Sequence, residues 1–197
     1  MISPPRTTPP IANLPEQGQW TYDDWARLPD DGYRYEVIDG VLHMAPPPNI
    51  QHQAVSGNLF YAIKDYVREH LLGEVYSTPI GVQLPNQPVP LQPDIVFISA
   101  AHKSIIGKQY IEGVPDLIVE ILSPGNWPYD RQEKYRVYET AGVPEYWIVD
   151  YRARTIEVFV LDEGEYVLIG KFGAGEKAPS KIISGFEVNV ADLFQQG

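Results

Sequence analysis

The sequence predicts a mixed α/β chain. Helices flank a central mixed β-sheet, with an extra β-hairpin on the N-terminal side and a β-meander on the C-terminal side. Three observations predict this. The runs Asp94-Ile95-Val96-Phe97-Ile98 and Asp116-Leu117-Ile118-Val119-Glu120-Ile121-Leu122 are continuous, apolar and rich in β-branched residues, the pattern of strands covered on both faces. Val55, Leu59, Ile63, Tyr66 and Val67 recur at helical spacing and mark one long amphipathic helix. Asp39-Gly40 separates two short β-like runs, the strongest short hairpin signal.

The elements follow in order. Residues 1–19 carry Pro4, Pro5, Pro9, Pro10 and Pro15 and are expected to form a loose arm ahead of a single domain over 20–197. Thr21 to Leu28 reads as a short helix, with Thr21 as N-cap and Asp23 and Asp24 in its first turn, where carboxylates complement the helix dipole. Tyr33–Ile38 and Val41–Met44 form the hairpin arms. Pro46-Pro47-Pro48 breaks the sheet, and the long helix is expected from about Asn49 to Leu72, with Gly73 as its stop. Glu74–Leu84 reads as one or two strands, and the proline-rich 84–93 segment as a loop. Strands at 94–98 and 116–122 precede a helix at about 128–141, ending near Gly142. Glu145–Asp150 is another apolar strand. Thr155–Leu161, Glu165–Gly170 and Lys181–Val188 read as the terminal meander.

Composition bounds the function. The chain has 197 residues and a 44% hydrophobic fraction, ordinary for a globular protein with one substantial core. Cysteine is absent, which removes disulfides, thiolate catalysis and zinc–thiolate sites and makes a cytoplasmic location the expectation. No apolar run approaches the ~20 residues that span a bilayer, and Met1–Pro10 has no signal-peptide pattern, so no membrane partner is expected. Fifteen basic residues stand against 26 acidic ones, a net charge of −11. Neither half is basic, which argues against strong nonspecific binding to a phosphate backbone but leaves room for a local site where metal ions offset carboxylates.

Three carboxylates fall on expected strands: Glu36, Asp94 and Glu120. Burying a carboxylate is costly unless it is paired, protonated or metal-bound. Mg²⁺ takes oxygen ligands and is often held by one or two carboxylates, and metal-assisted phosphodiester cleavage uses such ions. Lys134, on the helix after the Glu120 strand, is the candidate to hold an attacking water or counter developing charge. Plainer readings stay open. Asp94 could start a strand, Glu120 could pair with an arginine, and Glu36 could be an exposed hairpin residue. Lys134 could pair with Asp130 on a solvated face, and His52 could be a packing histidine. Tyr135, Tyr138 and Trp147 read as core.

As a set, several segments resemble the PD-(D/E)xK nuclease superfamily and, more closely, the Uma-type group of bacterial restriction-endonuclease-like proteins, a domain of unknown function. They are Gly32–Gly40, His52-Gln53, Gln92-Pro93-Asp94, Asp116–Pro124, Asp130 with Lys134 and Tyr138, and Ala141–Asp150. The resemblance spans roughly residues 20–190. It implies a restriction-endonuclease-like core in which Asp94 matches the superfamily aspartate, Glu120 the acidic residue of its (D/E)xK motif and Glu36 the upstream glutamate. The motif lysine position, two after Glu120, holds Leu122. In this group the lysine is taken to have moved to the following helix, which fits Lys134.

The resulting expectation is an Mg²⁺- or Mn²⁺-dependent endonuclease acting on DNA. Asp94, Glu120 and the Ile121 carbonyl bind metal, Glu36 assists and Lys134 positions the nucleophile, with His52 and Gln92 as accessory residues. The alternative is a nuclease-fold module that binds nucleic acid or regulates, with weak or no catalysis; the acidic balance and the missing in-strand lysine motivate it. A homodimer is compatible with either, since many nucleases that cut both strands work as dimers, and a purely structural homo-oligomer is the third reading.

Overall fold

In the structure, a computed structural model, residues 14–85, 87–123 and 129–195 are described; the side chains of Tyr129 and Asp130 lie outside that description. Its contacts divide into two compact units, Met1–Pro47 with Gln87–Val89, and Pro48–Asn86 with Pro90–Gly197.

The smaller unit holds α1 (Tyr22–Trp25) and the hairpin β1 (Arg34–Ile38) and β2 (Val41–Ala45). Thr21 caps α1 through a reciprocal capping box with Asp24, as its sequence requires. Asp39 and Gly40 both have positive φ, 50° and 74°, the two-residue turn that an Asp-Gly pair forms most readily. Of the expected arm, residues 1–13 lie outside the described residues. Gln17 exchanges side-chain hydrogen bonds with the Leu42 backbone, and the N–H groups of Gly18 and Trp20 donate to the Gly40 carbonyl. Trp20, Val37 and Val89 form this unit's buried cluster.

The larger unit begins with α2 (Ile50–Glu69), capped by Asn49. There follow β3 (Gly73–Ser77), β4 (Gly81–Gln83), β5 (Ile95–Ser99), a 3₁₀ turn (Ala100–Ile105), β6 (Tyr110–Glu112) and β7 (Leu117–Ile121). A π-helical stretch (Tyr129–Lys134) runs into α3 (Tyr135–Ala141), then β8 (Glu145–Asp150), β9 (Thr155–Asp162), β10 (Glu165–Phe172), β11 (Lys177–Pro179), β12 (Glu187–Asn189) and α4 (Val190–Leu193). Among the described residues, a six-stranded sheet is ordered β10-β9-β8-β7-β5-β3. Its β7–β8 pair is parallel and the other pairs are antiparallel. The parallel pair needs a crossover, and α3 supplies it. The expected mixed sheet flanked by helices is thus the observed one, with the meander β8-β9-β10 completing one side.

Alternation along β5 and β7 sorts their residues between two faces. Ile95, Phe97, Leu117, Val119 and Ile121 join Val55, Leu59, Ile63 and Val67 of α2 in the main core. Burying such side chains contributes on the order of 1.5–3 kcal/mol each. Glu120 lies on the other face, beneath α3.

Four local expectations need correction. The long helix ends at Glu69, and Leu71, at φ 56°, makes the left-handed exit; Gly73 instead opens β3, where an added Cβ would meet the Ile98 carbonyl oxygen at 2.0 Å. The segment 181–186 is a turn rather than a strand. Glu145 Oε2 accepts the N–H groups of Lys181 and Ile182, and Ser180 Oγ accepts those of Ile182 and Ile183, so those donors are already engaged. The short β6 and α4 were not expected at all. Both are only three or four residues long, too short for a periodic signal.

Candidate active site

The site forms where β5 begins and β7 ends. Asp94 immediately precedes β5, and its Oδ2 accepts the N–H of Ile121 at 2.8 Å. That bond ties the aspartate to the residue after Glu120. His52, on the first turn of α2, approaches from the other side. Its Nε2 lies 3.0 Å from the Ile121 carbonyl oxygen and 3.3 Å from Asp94 Oδ2. Both neighbours are acceptors, so Nε2 carries the proton. Nδ1 of the same ring is buried without a hydrogen-bond partner among the described residues.

Glu120 Oε1 accepts two hydrogen bonds, from Lys134 Nζ at 2.8 Å and from the Tyr138 hydroxyl at 2.7 Å. Lys134 and Glu120 are both fully buried, at 0% exposure, and Asp94 is 1% exposed. Lys134 and Tyr138 are four residues apart, so successive helical turns present them to one carboxylate oxygen. Lys134 is therefore not on a solvated face, and the Asp130 side chain, its other suggested partner, lies outside the described residues. Leu122 is fully buried. The position two after Glu120 is therefore core, and the ammonium group that reaches Glu120 comes from the helix that follows.

A second ion pair holds that helix in place. Arg131, three residues before Lys134, makes a bidentate contact with Glu157 of β9, at 2.8 and 2.9 Å. Hydrogen bonding to Glu157 raises the Arg131 guanidinium above its ordinary value, against the effect of burial. Burial pushes the Glu157 carboxyl up, but hydrogen bonds from Arg131 and Lys171 outweigh it, and the net shift is downward. Glu145, at the start of β8, shifts the other way: burial raises it, although Lys181, Ser180, Trp147 and Ile182 hydrogen-bond to it.

Asp94, Glu120, Lys134 and His52 are thus joined directly or through Ile121. Gln92 is half-buried two residues before Asp94. Glu36 belongs to the smaller unit, buried on β1 with Arg34 Nε 3.9 Å from its Oε2. Asp116, read as a strand-start residue, accepts the Ser99 N–H at 2.7 Å and contacts His102 Nδ1 at 2.8 Å.

Asp94, Glu120 and the Ile121 carbonyl present only oxygen donors. Such a set suits a hard divalent ion that keeps several of its waters. Among the described residues no three His, Asp or Glu side chains are gathered into a ready-made cage, unlike the closed four-ligand sites of structural zinc. The Ile121 carbonyl gives one lone pair to His52 and has a second available.

A family model described as "Uma2: Putative restriction endonuclease" matches residues 21–191. The chain belongs to this family. An uncharacterized protein of Synechocystis sp. is 25% identical to it over 187 residues, which cover 92% of this chain and 94% of that one. A crystal structure from Anabaena variabilis, described as "a putative nuclease belonging to DUF820", superposes with a TM-score of 0.71 at 20% identity, covering 88% of this chain and 97% of that one; it shares the fold. In this Uma2 member no described helix is long and apolar enough to cross a membrane.

The site residue that the sequence reading missed is Tyr138. It reads as core, and it is buried. Its i+4 spacing from Lys134 was the signal that both could reach one carboxylate.

Proposed function

We propose that this Uma2 member is a divalent-metal-dependent endonuclease that hydrolyses phosphodiester bonds in DNA. The observation that carries the reading is the Lys134–Glu120 contact beside an aspartate that hydrogen-bonds the next residue's backbone. On this reading a lysine from the following helix serves in place of the one that the superfamily pattern has in the strand.

Asp94, Glu120 and the Ile121 carbonyl would hold Mg²⁺ or Mn²⁺. Such an ion, when bound, supplies Lewis-acid polarisation of the phosphate and a lowered pKa for water. The chain's own residues do the positioning. Lys134 donates to the attacking water or to a phosphate oxygen as negative charge grows there. The water's oxygen forms a new bond to phosphorus and gives up a proton to solvent, the bond from phosphorus to the leaving nucleotide oxygen breaks, and that leaving oxygen takes up a proton from solvent. Tyr138 fixes the rotamer of Glu120. His52 holds the Ile121 carbonyl and Asp94 in register with one another. Cutting both strands of a duplex would take two copies or two encounters.

A binding or regulatory module on the same fold is the second reading, favoured by the buried Leu122 at the motif lysine position. Plasmid nicking separates the two. The proposal expects supercoiled DNA to be nicked or linearised with Mg²⁺ or Mn²⁺, and Asp94→Ala and Glu120→Ala each to abolish it. Undiminished cleavage by both variants would overturn the site assignment. Absence of Mg²⁺ and Mn²⁺ binding by calorimetry would favour the module.

A further inference from the structure

β7 and β8 run parallel, with Ile121 opposite Val149. Their carboxyl ends therefore lie at the same edge of the sheet. The turn that follows β8 there contains Arg152 and Arg154, both exposed. Much of the basic charge in the larger unit is already neutralised: Arg68 by Asp65, Lys103 by Glu74, Lys171 by Glu157 and Lys177 by Glu187. Arg152 and Arg154 pair with no carboxylate among the described residues. Asp150 Oδ1, of the nearest acid in sequence to Arg152, is engaged by the backbone N–H groups of Arg152 and Ala153. In a protein of net charge −11, two uncompensated guanidinium groups on one turn are a local exception.

Their position ties them to the candidate site. Arg154, Gln51, Tyr151 and Phe194 line a cavity of about 70 Å³. The Tyr151 ring packs edge-on to His52 at 6.4 Å between centroids, and its hydroxyl accepts from Asn49 Nδ2 at 2.9 Å. His52 in turn touches the Ile121 carbonyl. Gln51 and His52 are consecutive on α2, so one lines the cavity while the other reaches the metal-ligand candidates. Guanidinium groups bind phosphate bidentately and remain charged at any physiological pH.

We propose that Arg152 and Arg154 are the phosphate-backbone contact of a nucleic-acid strand, holding it across the β8–β9 turn beside the Asp94–Glu120 site. This rests on the nuclease reading and assigns the direction from which the strand enters. The contact carries no sequence information, because it reads phosphates and not base edges.

The test is fluorescence anisotropy of a labelled DNA duplex with the full chain in EDTA, across a salt series. The wild type is compared with Arg152→Ala/Arg154→Ala and with Arg68→Ala. Arg68 lies 17 residues beyond Gln51 on α2, about 25 Å away at 1.5 Å per residue, and controls for charge loss alone. The expected result is roughly tenfold or greater weakening in the double variant at low salt, with the slope of log K against log [salt] shallower by about two. Arg68→Ala stays near wild type. In the cleavage assay the double variant raises KM and leaves kcat largely unchanged. A double variant that binds like wild type, or that weakens no more than Arg68→Ala, overturns this contact while the nuclease reading stands. A wild type that binds no DNA in EDTA overturns this contact too, and the plasmid-nicking assay with Mg²⁺ or Mn²⁺ decides the nuclease reading separately.

Discussion

Glu120 and Glu157 stand in one register row of the central sheet, two strands apart, each opposite Ile148 of the strand between them. Two strand spacings put their backbones about 10 Å apart. Lys134 and Arg131, one helical turn apart, meet them from above. The two ion pairs clamp the crossover helix onto the sheet, and the buried one doubles as the candidate catalytic pair.

Lys134→Met is therefore expected to destabilise the protein by about 3–5 kcal/mol, because it leaves Glu120 buried without its cation. The double variant Glu120→Gln/Lys134→Met should recover much of that loss. Urea unfolding of the single and double variants measures the coupling. A Lys134→Met variant as stable as wild type would show that the pair is not buried as described.

Tyr138→Phe removes one hydroxyl and keeps the ring. A hydrogen bond to a charged group contributes about 1.5–3 kcal/mol, and a loss of that order is expected in the same unfolding assay. The variant should also weaken Mn²⁺ binding, since Glu120 loses one of the donors that fix its rotamer. Unchanged stability and unchanged Mn²⁺ affinity would mean that the hydroxyl does not hold Glu120.

Glu157 gives the protein a specific acid sensitivity. Its folded value lies below the ordinary 4.5. It binds protons less readily when folded than when unfolded, so it contributes stability above about pH 4.5 that is lost as pH falls through the lowered folded value. Glu145 has the opposite sign: its raised value favours the folded state as pH falls. The two partly offset each other, so the informative quantity is a difference. Glu157→Gln should be less stable than wild type at pH 7, and the gap should narrow below pH 4.5. A gap that is constant with pH would contradict the assignment.

In the smaller unit, Gly40 has φ 74°, and a Cβ added there would sit 2.5 Å from the Gly18 carbonyl oxygen. Gly40→Ala is expected to cost more than 1 kcal/mol, from left-handed strain together with the clash. Thermal unfolding followed by tryptophan fluorescence should report it, since Trp20 lies in that unit's core.

Much of this was legible in the sequence because the signals were strong and local. Thr21 with Asp24 fixed a cap, Asp39-Gly40 a turn, and Val55, Leu59, Ile63 and Val67 a buried helical face. The two strand carboxylates declared themselves because Glu120 interrupts an apolar run and Asp94 opens one. What was not legible depends on contacts distant in sequence. Nothing in 181–186 says that Glu145, some 36 residues away, takes the backbone donors a strand would use. Likewise, Tyr138 reads as core because a buried tyrosine and a buried hydrogen-bond donor look alike in one dimension. Leu122 and Lys134 lie between these cases. The substitution is plain in the sequence, but the compensation needs the helix to turn its lysine back onto β7.

The most direct measurement is a crystal soaked in Mn²⁺, read by anomalous scattering. The account predicts a peak bounded by Asp94, Glu120 and the Ile121 carbonyl oxygen, at about 2.0–2.3 Å from each, with Lys134 still directed at Glu120. A peak coordinated by other residues, or no peak at a concentration that supports DNA cleavage, would contradict it.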